Sequence, residues 1–315
     1  MQQELLSFRP GGIQWAWDST SLSAFTACPR KYQYSILEGW ATELRSAHLE
    51  FGGHYAKALE RFHKLRAKGE TYADALRSVT YDLMLDTWEH DLDESGNRIP
   101  GTGKGADWLH NTKTRDTLIR SVVWYLTHFE NDTMQTVILS NGDAAVEYSF
   151  SFDLSDEFVY CGHIDRLVTY GDAADIYVQD QKTSGGAVTA RYFDAYTPDI
   201  QMTGYTLAGQ IIFNLPVKGV VIDAAQIAVG FTEFYRGFVN RTDAMLEEFR
   251  EEALHYIQEA KACAESGYYP MRRTSCGNYG GCEFRKVCSL APVLRGRYLE
   301  GNYRKRERWD PIKRR

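Results

Sequence analysis

The chain has 315 residues, 43% of them hydrophobic and 25% charged. That balance builds a folded core and excludes a disordered or fibrous polymer. A formal charge of -6, from 36 Lys and Arg against 42 Asp and Glu, excludes a protein that coats nucleic acid through bulk charge. No stretch reaches the ~18 apolar residues of a membrane span, and the start, MQQELLSFRP, lacks the apolar centre of a signal peptide. A cytoplasmic protein with no membrane contact is therefore expected. Six cysteines are too few for a secreted disulfide scaffold in a chain of this length, so their clustering points to metal.

Ser and Thr caps ahead of apolar residues predict a helix over 19–37, and a second helix should run over 53–68. Apolar residues three and four apart predict helices over 72–90 and 111–130, separated by a Gly- and Asp-rich loop at 91–105. The period then changes to two. Residues 146–150, 158–170 and 175–182 read as strands between Gly and Asp turns. A helix over 199–213, strands over 217–229 and 231–239, and a helix over 242–266 follow. With no internal repeat and no low-complexity linker, one α/β domain over 1–292 is predicted. It is mainly helical over 1–140, carries its sheet over 141–240, and ends in a helix and a cysteine segment over 241–292. A basic tail, 293–315, comes last.

The tail holds Arg295, Arg297, Arg304, Lys305, Arg306, Arg308, Lys313, Arg314 and Arg315 against Glu300, Glu307 and Asp310. It could attract phosphates, or be a solvated and partly disordered end. No G-x-x-x-x-G-K-S/T run is present, so ATP-driven movement on DNA would need a partner protein.

The most informative stretch is Gly162-His163-Ile164-Asp165-Arg166 followed, across a turn, by Asp175 to Ser184. Alternate side chains of a strand share a face, so Ile176, Val178, Asp180 and Lys182 would line one side that starts apolar and ends charged. If Asp165 on the neighbouring strand points at Asp180, two carboxylates ~4 Å apart repel by about 4 kcal/mol at an effective dielectric near 20. A divalent cation would relieve that, and hard oxygen ligands suit Mg²⁺ or Mn²⁺. Lys182 could then orient water or offset negative charge developing on a phosphate. Ordinary ion pairs, Asp180 with Lys182 and Asp165 with Arg166, would account for the same residues.

These motifs resemble the PD-(D/E)XK nuclease superfamily, in particular its RecB-like branch, which includes CRISPR-adaptation iron-sulfur nucleases and many phage-encoded exonucleases. In that branch a strand with G-x-x-D-R precedes a strand ending D-x-K-T, as in Gly162–Arg166 and Asp180–Thr183. The resemblance implies a restriction-endonuclease-like central mixed sheet flanked by helices, with a helical N-terminal elaboration and a C-terminal iron-sulfur segment. It implies a metal-dependent deoxyribonuclease, most often an exonuclease, working on phage or bacterial DNA with a possible helicase or recombination partner. Asp165, Asp180 and the carbonyl of Gln181 become metal ligands, and Lys182 the catalytic lysine. Gln201 and Tyr205 match a family Q-x-x-x-Y element facing the active site or DNA; unaided spacing would equally make them polar residues on a solvated face. Glu147 falls where members often carry an acid on the preceding strand.

One element departs from the pattern. The branch carries G-x-x-x-H-x-x-L-E on an early helix, and aligning Gly52, Leu59 and Glu60 puts Ala56 where the metal-binding histidine belongs. His54 is two residues early, about 200° around a regular helix, and reaches a metal only if the helix begins later. A catalytically weak or inactive DNA-binding or assembly protein that kept the fold is the alternative this substitution raises.

Cys276, Cys282 and Cys288 stand at equal spacing near the C-terminus, and a fourth ligand must come from elsewhere. The resemblance supplies Cys28, in the run Cys28-Pro29-Arg30-Lys31-Tyr32. Four thiolates suit zinc or a [4Fe-4S] cluster, and the resemblance favours the cluster. Closing a loop of roughly 250 residues, it would act first as a clasp between the chain's two ends. Cys161 and Cys263 lack such context and read as core residues.

Overall fold

The computed structural model describes residues 7–42 and 46–313, apart from the side chain of Tyr279. Arg314 and Arg315 of the basic end, and the first six residues, lie outside that range.

Seven strands form one mixed sheet: β1 (Ala16–Trp17), β2 (Gln135–Thr136), β3 (Val146–Asp153), β4 (Val159–Tyr170), β5 (Asp175–Ser184), β6 (Val217–Ile227) and β7 (Thr232–Asn240). Their order is β7-β6-β5-β4-β1, with β2 and β3 also on β4. β5 runs parallel to β6 and antiparallel to β4. Apolar residues of β4, β5 and β6 bury against α1 (Ser19–Ala27), α7 (Ile200–Phe213, preceded by the short α6, Ala190–Asp194) and α8 (Asp243–Ser266) in one core. A second core joins α3 (Ala47–Ala67), α4 (Tyr72–Asp86) and α5 (Arg115–His128) to Ala225 and Ile227 of β6. Helices thus flank a central mixed sheet, the α/β arrangement expected.

Side-chain caps fix several helix starts near their expected places. Thr71, Thr114, Asp199 and Thr242 each accept a hydrogen bond from the backbone N–H three residues on. The single helix expected over 19–37 is instead broken at Cys28, which is extended with φ -168°, and α2 (Pro29–Tyr32) starts afresh. Pro29 is the cause, because its ring disfavours helical geometry in the residue before it. α3 begins at Ala47, six residues earlier than expected.

The C-terminal segment is ordered rather than loose. After α8, the chain forms the short helices α9 (Arg285–Cys288) and α10 (Pro292–Asn302). Arg304–Lys305 then pairs antiparallel with Trp40–Ala41, Arg306 N–H donates to Gly39 at 2.9 Å, and Trp309 Nε1 donates to Asp18 Oδ2 at 3.0 Å. Much of the basic stretch therefore straps the N-terminal helices, and its first residues, from 293, belong to α10. Among the described residues no helix is long and apolar enough to cross a membrane.

α7 lies close on the sheet at Gly204, where an added Cβ would sit 2.4 Å from Tyr160 Oη and 2.8 Å from its ring. Alanine would gain ~1 kcal/mol of helix propensity but overpack a buried contact at ~1–3 kcal/mol. Gly204→Ala is therefore expected to lower stability in urea unfolding; a raised midpoint would contradict this packing.

Candidate active site

The ladder between β4 and β5 runs from Tyr170↔Asp175 to Arg166↔Gln179 and stops. Asp165 and Asp180 are the next residues on each strand, where the two part. The backbone N–H of Gln181 donates to Asp165 Oδ2 at 3.1 Å, so a carboxylate replaces the missing ladder carbonyl. Asp180 is 2% exposed, and its Oδ2 lies 2.6 Å from Lys182 Nζ. That contact has the distance of an ion pair without hydrogen-bond alignment, leaving Oδ2 a buried acceptor lacking a well-directed donor.

Burial and then Asp180 push the Asp165 carboxyl up to about 7. Burial likewise raises Asp180, partly countered by Lys182. Burial works against the charge of Lys182, but Asp180 and Asp165 outweigh it and hold the ammonium above the ordinary lysine value. Two acids forced toward their neutral forms at the mouth of a splayed strand pair are an arrangement whose repulsion a cation would relieve. The donors fit a hard divalent ion: two carboxylates and the nearby Gln181 carbonyl. Among the described residues no group of three or more His, Cys, Asp and Glu side chains is arranged to hold a metal.

α7 brings the next shell. Lys182 Nζ donates to Gln201 Oε1 at 3.3 Å, and Gln201 Nε2 donates to Tyr205 Oη at 2.9 Å. Burial, Asp165 and Asp180 drive the Tyr205 hydroxyl well above its usual range, so it stays protonated. The expected pair thus shares one helical face turned to the sheet, where half-buried Gln201 touches the lysine and buried Tyr205 touches Gln201.

The structure does not bring His54 into this group. Its ring stacks on Trp108 with centroids 5.9 Å apart, and Glu50, Asp86, Lys57 and Arg61 are the charges it senses. With α3 starting at Ala47, the position is mid-helix and points elsewhere. Ala56 instead lines a small cavity of about 20 Å³ with Glu60, His63, Glu147, Asp165 and Gln181. Glu147 sits there on β3 with φ 48°, a left-handed conformation costly for a side-chain-bearing residue and typical of functional sites.

Arg166 does not form the ordinary ion pair with Asp165 that would have accounted for both residues. It turns from Asp165 to the opposite face, donating to Gln179 Oε1 at 2.9 Å and Thr136 Oγ1 at 2.9 Å, with His63 Nε2 3.2 Å from its Nη1. Burial, Arg166 and Arg236 hold His63 well below the usual imidazole value, so it is neutral, and Nε2 accepts. Gln179 and Arg236 both donate to Asp223 Oδ2, at 2.5 and 3.1 Å, Tyr125 Oη donates to the same oxygen at 2.6 Å, and Arg236 also clamps Asp132. This buried network was not anticipated. The signal was available: Ala56, Leu59, Glu60 and His63 follow the i, i+3, i+4, i+7 spacing of one helical face.

The cysteines gather at the opposite end of the chain's path. Cys28 is 8% exposed, between α1 and α2, and its Sγ accepts from Arg272 N–H at 3.4 Å. Burial raises the Cys282 and Cys288 thiols; Cys282 senses Cys276 and Cys28, and Cys288 senses Cys28 and Cys282. All four are free thiols. Arg30 Nε donates to Tyr269 O at 2.8 Å and Ser275 Oγ to Ala27 O at 2.7 Å, so polar bonds already join the two segments. Cys161 is buried near Trp17 and Cys263 packs on the main core, as core residues do.

No curated protein matches the chain. Among solved structures it is similar to a presumed exonuclease from Eubacterium rectale, at 12% identity and TM-score 0.45 over 87% of this chain and 88% of that one. SSO0001 is similar at 13% identity and TM-score 0.25, over 49% of this chain and 74% of that one. Neither likeness is close enough to bear on the site. The family model of the PD-(D/E)XK nuclease superfamily, by contrast, matches residues 17–289, a span that takes in the sheet, the acid pair, Lys182 and all four clustered cysteines. The chain belongs to the PD-(D/E)XK nuclease superfamily.

Proposed function

We propose that this chain is a Mg²⁺- or Mn²⁺-dependent deoxyribonuclease, an exonuclease of the RecB-like branch, acting in phage or bacterial DNA processing. The observation that carries the reading is the convergence of Asp165, Asp180 and Lys182 where β4 and β5 separate. Asp165, Asp180 and the Gln181 carbonyl would hold the ion. When bound, it supplies Lewis-acid polarisation of the phosphodiester and lowers the pKa of water. Asp180 keeps Lys182 charged, and Gln201 fixes the ammonium's direction so that it faces charge developing on the phosphate. Tyr205 holds Gln201 in turn. Asp165, still partly open to solvent, is the side from which water and substrate enter.

Ala56 favours a second reading, a weakly active or inactive DNA-binding relative, because no imidazole faces Asp165 from α3 at that position. One assay separates the two. Under the first, linear DNA is degraded with Mg²⁺ or Mn²⁺, and Lys182→Ala and Asp180→Ala each lose ~10²–10³-fold in rate. Salt-sensitive DNA binding without cutting by the wild type would favour the second.

The raised Asp165 carboxyl gives a stability test. Its folded pKa of about 7 lies above the ~3.9 of an unfolded aspartate, so the unfolded chain ionises first. Its contribution is complete below about pH 4 and is lost as pH rises toward 7. Asp165→Asn is expected to raise the Tm of the metal-free protein near pH 8 but not near pH 4. Mg²⁺ should raise the wild-type Tm more at pH 8 than at pH 5; an equal shift in Asp165→Asn would remove Asp165 from the ligand set.

We infer further that Cys28, Cys276, Cys282 and Cys288 hold a [4Fe-4S] cluster. Four free thiols, with Cys282 sensing Cys276 and Cys28 and Cys288 sensing Cys28 and Cys282, support this. Anaerobically purified protein is expected to contain iron and acid-labile sulfide in equal amounts and to lose both, with a drop in Tm, in Cys282→Ser. Stoichiometric zinc without sulfide would reverse the assignment.

A further inference from the structure

Lys113 is 1% exposed, among the most completely buried large side chains of the protein. Among the described residues no carboxylate pairs with it. It stands just before the Thr114 cap of α5, where the helix dipole disfavours a cation. A lysine so placed is costly unless its donors are used. They are: Nζ donates to Thr183 Oγ1 at 2.9 Å and, more weakly, to Thr183 O at 3.4 Å, and lies over the Phe51 ring at 5.0 Å.

Thr183 follows Lys182 on the stretch of β5 that has lost β4. From Gln181 to Ser184 the strand pairs with β6 only. Residues 181 and 183 share parity, so both direct backbone groups to the vacated edge. Asp165 takes the N–H of Gln181, and Lys113 takes the carbonyl and hydroxyl of Thr183. Lys182 stands between the two attachments.

We propose that Lys113 is a positioning residue of the nuclease centre: it stands in for the missing strand at Thr183 and so fixes the segment that presents Lys182. Its donors reach Thr183 rather than the acids, so it acts through the backbone of β5. Burial alone lowers the amine to about 8, and even neutral it keeps hydrogens to donate, so the tether persists above that pH.

The inference rests on the nuclease reading for its kinetic arm only. Lys113→Met should keep side-chain length and lose the donors. Expected are a fall in kcat of tenfold or more with KM for DNA within about twofold, and faster amide exchange over residues 180–186 with exchange elsewhere unchanged. Thr183→Val should show the same pattern, the double variant should be no worse than either single one, and Lys113→Gln, which can still donate, should recover part of the rate. Wild-type exchange over 180–186 in both Lys113→Met and Thr183→Val, or losses that add in the double variant, would overturn the proposal. If Lys113→Met does not fold, Thr183→Val and Lys113→Gln carry the comparison. If the wild type cuts no DNA, the nuclease reading fails, and the exchange measurement alone decides the role of Lys113.

Discussion

The site exists because two neighbouring strands stop pairing one residue short of their acids. Had the β4–β5 ladder continued beyond Arg166↔Gln179, Asp165 and Asp180 would face each other across ordinary sheet, and the edge of β5 would be sealed by backbone. Divergence frees that edge, and side chains must then satisfy its polar groups, because buried backbone donors and acceptors are seldom left unpaired. The carboxylate that accepts from Gln181 is thereby held beside Asp180 at the opening. Structural satisfaction and positioning are the same bond.

Divergence has a cost, and the face opposite the acids offsets it. Where Asp180 and Lys182 look toward Gln201 of α7, Arg166, Gln179 and Asp223 look toward α3 and α5. Two guanidiniums, Arg166 and Arg236, are set against Asp132 and Asp223, so the buried charges come in equal numbers of each sign. A network of this kind contributes little net stability over apolar packing, but losing any member leaves its partners uncompensated. It therefore pins β4, β5 and β6 in one arrangement just below the point where they open. Neutral His63 fits this role, accepting from Arg166 without adding charge.

Much of this was legible in the sequence, and what was hidden had physical reasons. Alternation along β5 correctly put Asp180 and Lys182 on one side, and four-residue spacing put Gln201 and Tyr205 on one helical face. Those are local regularities. Asp165 and Arg166, adjacent in sequence, do not pair, because neighbours on a strand point to opposite faces. His54 was misplaced by an uncertain helix start; once α3 begins at Ala47, the phase of every residue on it is set, and Ala56, Glu60 and His63 take the sheet side. Pro29 itself marks the α1–α2 break, because a proline pushes the residue before it out of helical geometry. Lys113 had no signal at all, since its partner lies 70 positions away and nothing local distinguishes a buried lysine from a solvated one.

The basic end shows how composition alone can mislead about role. Positive charge suggests phosphate, yet Arg306, Trp309 and the pairing of Arg304–Lys305 with Trp40–Ala41 bind the last residues to the helices that follow β1. Cys28 and the 269–276 segment tie the same region from a second direction. Both attachments bear on the α1–α2 break, and α1 in turn packs on α7, the helix that carries Gln201 and Tyr205. The chain's ends are thus joined, through one layer of helices, to the helix whose Gln201 accepts from Lys182.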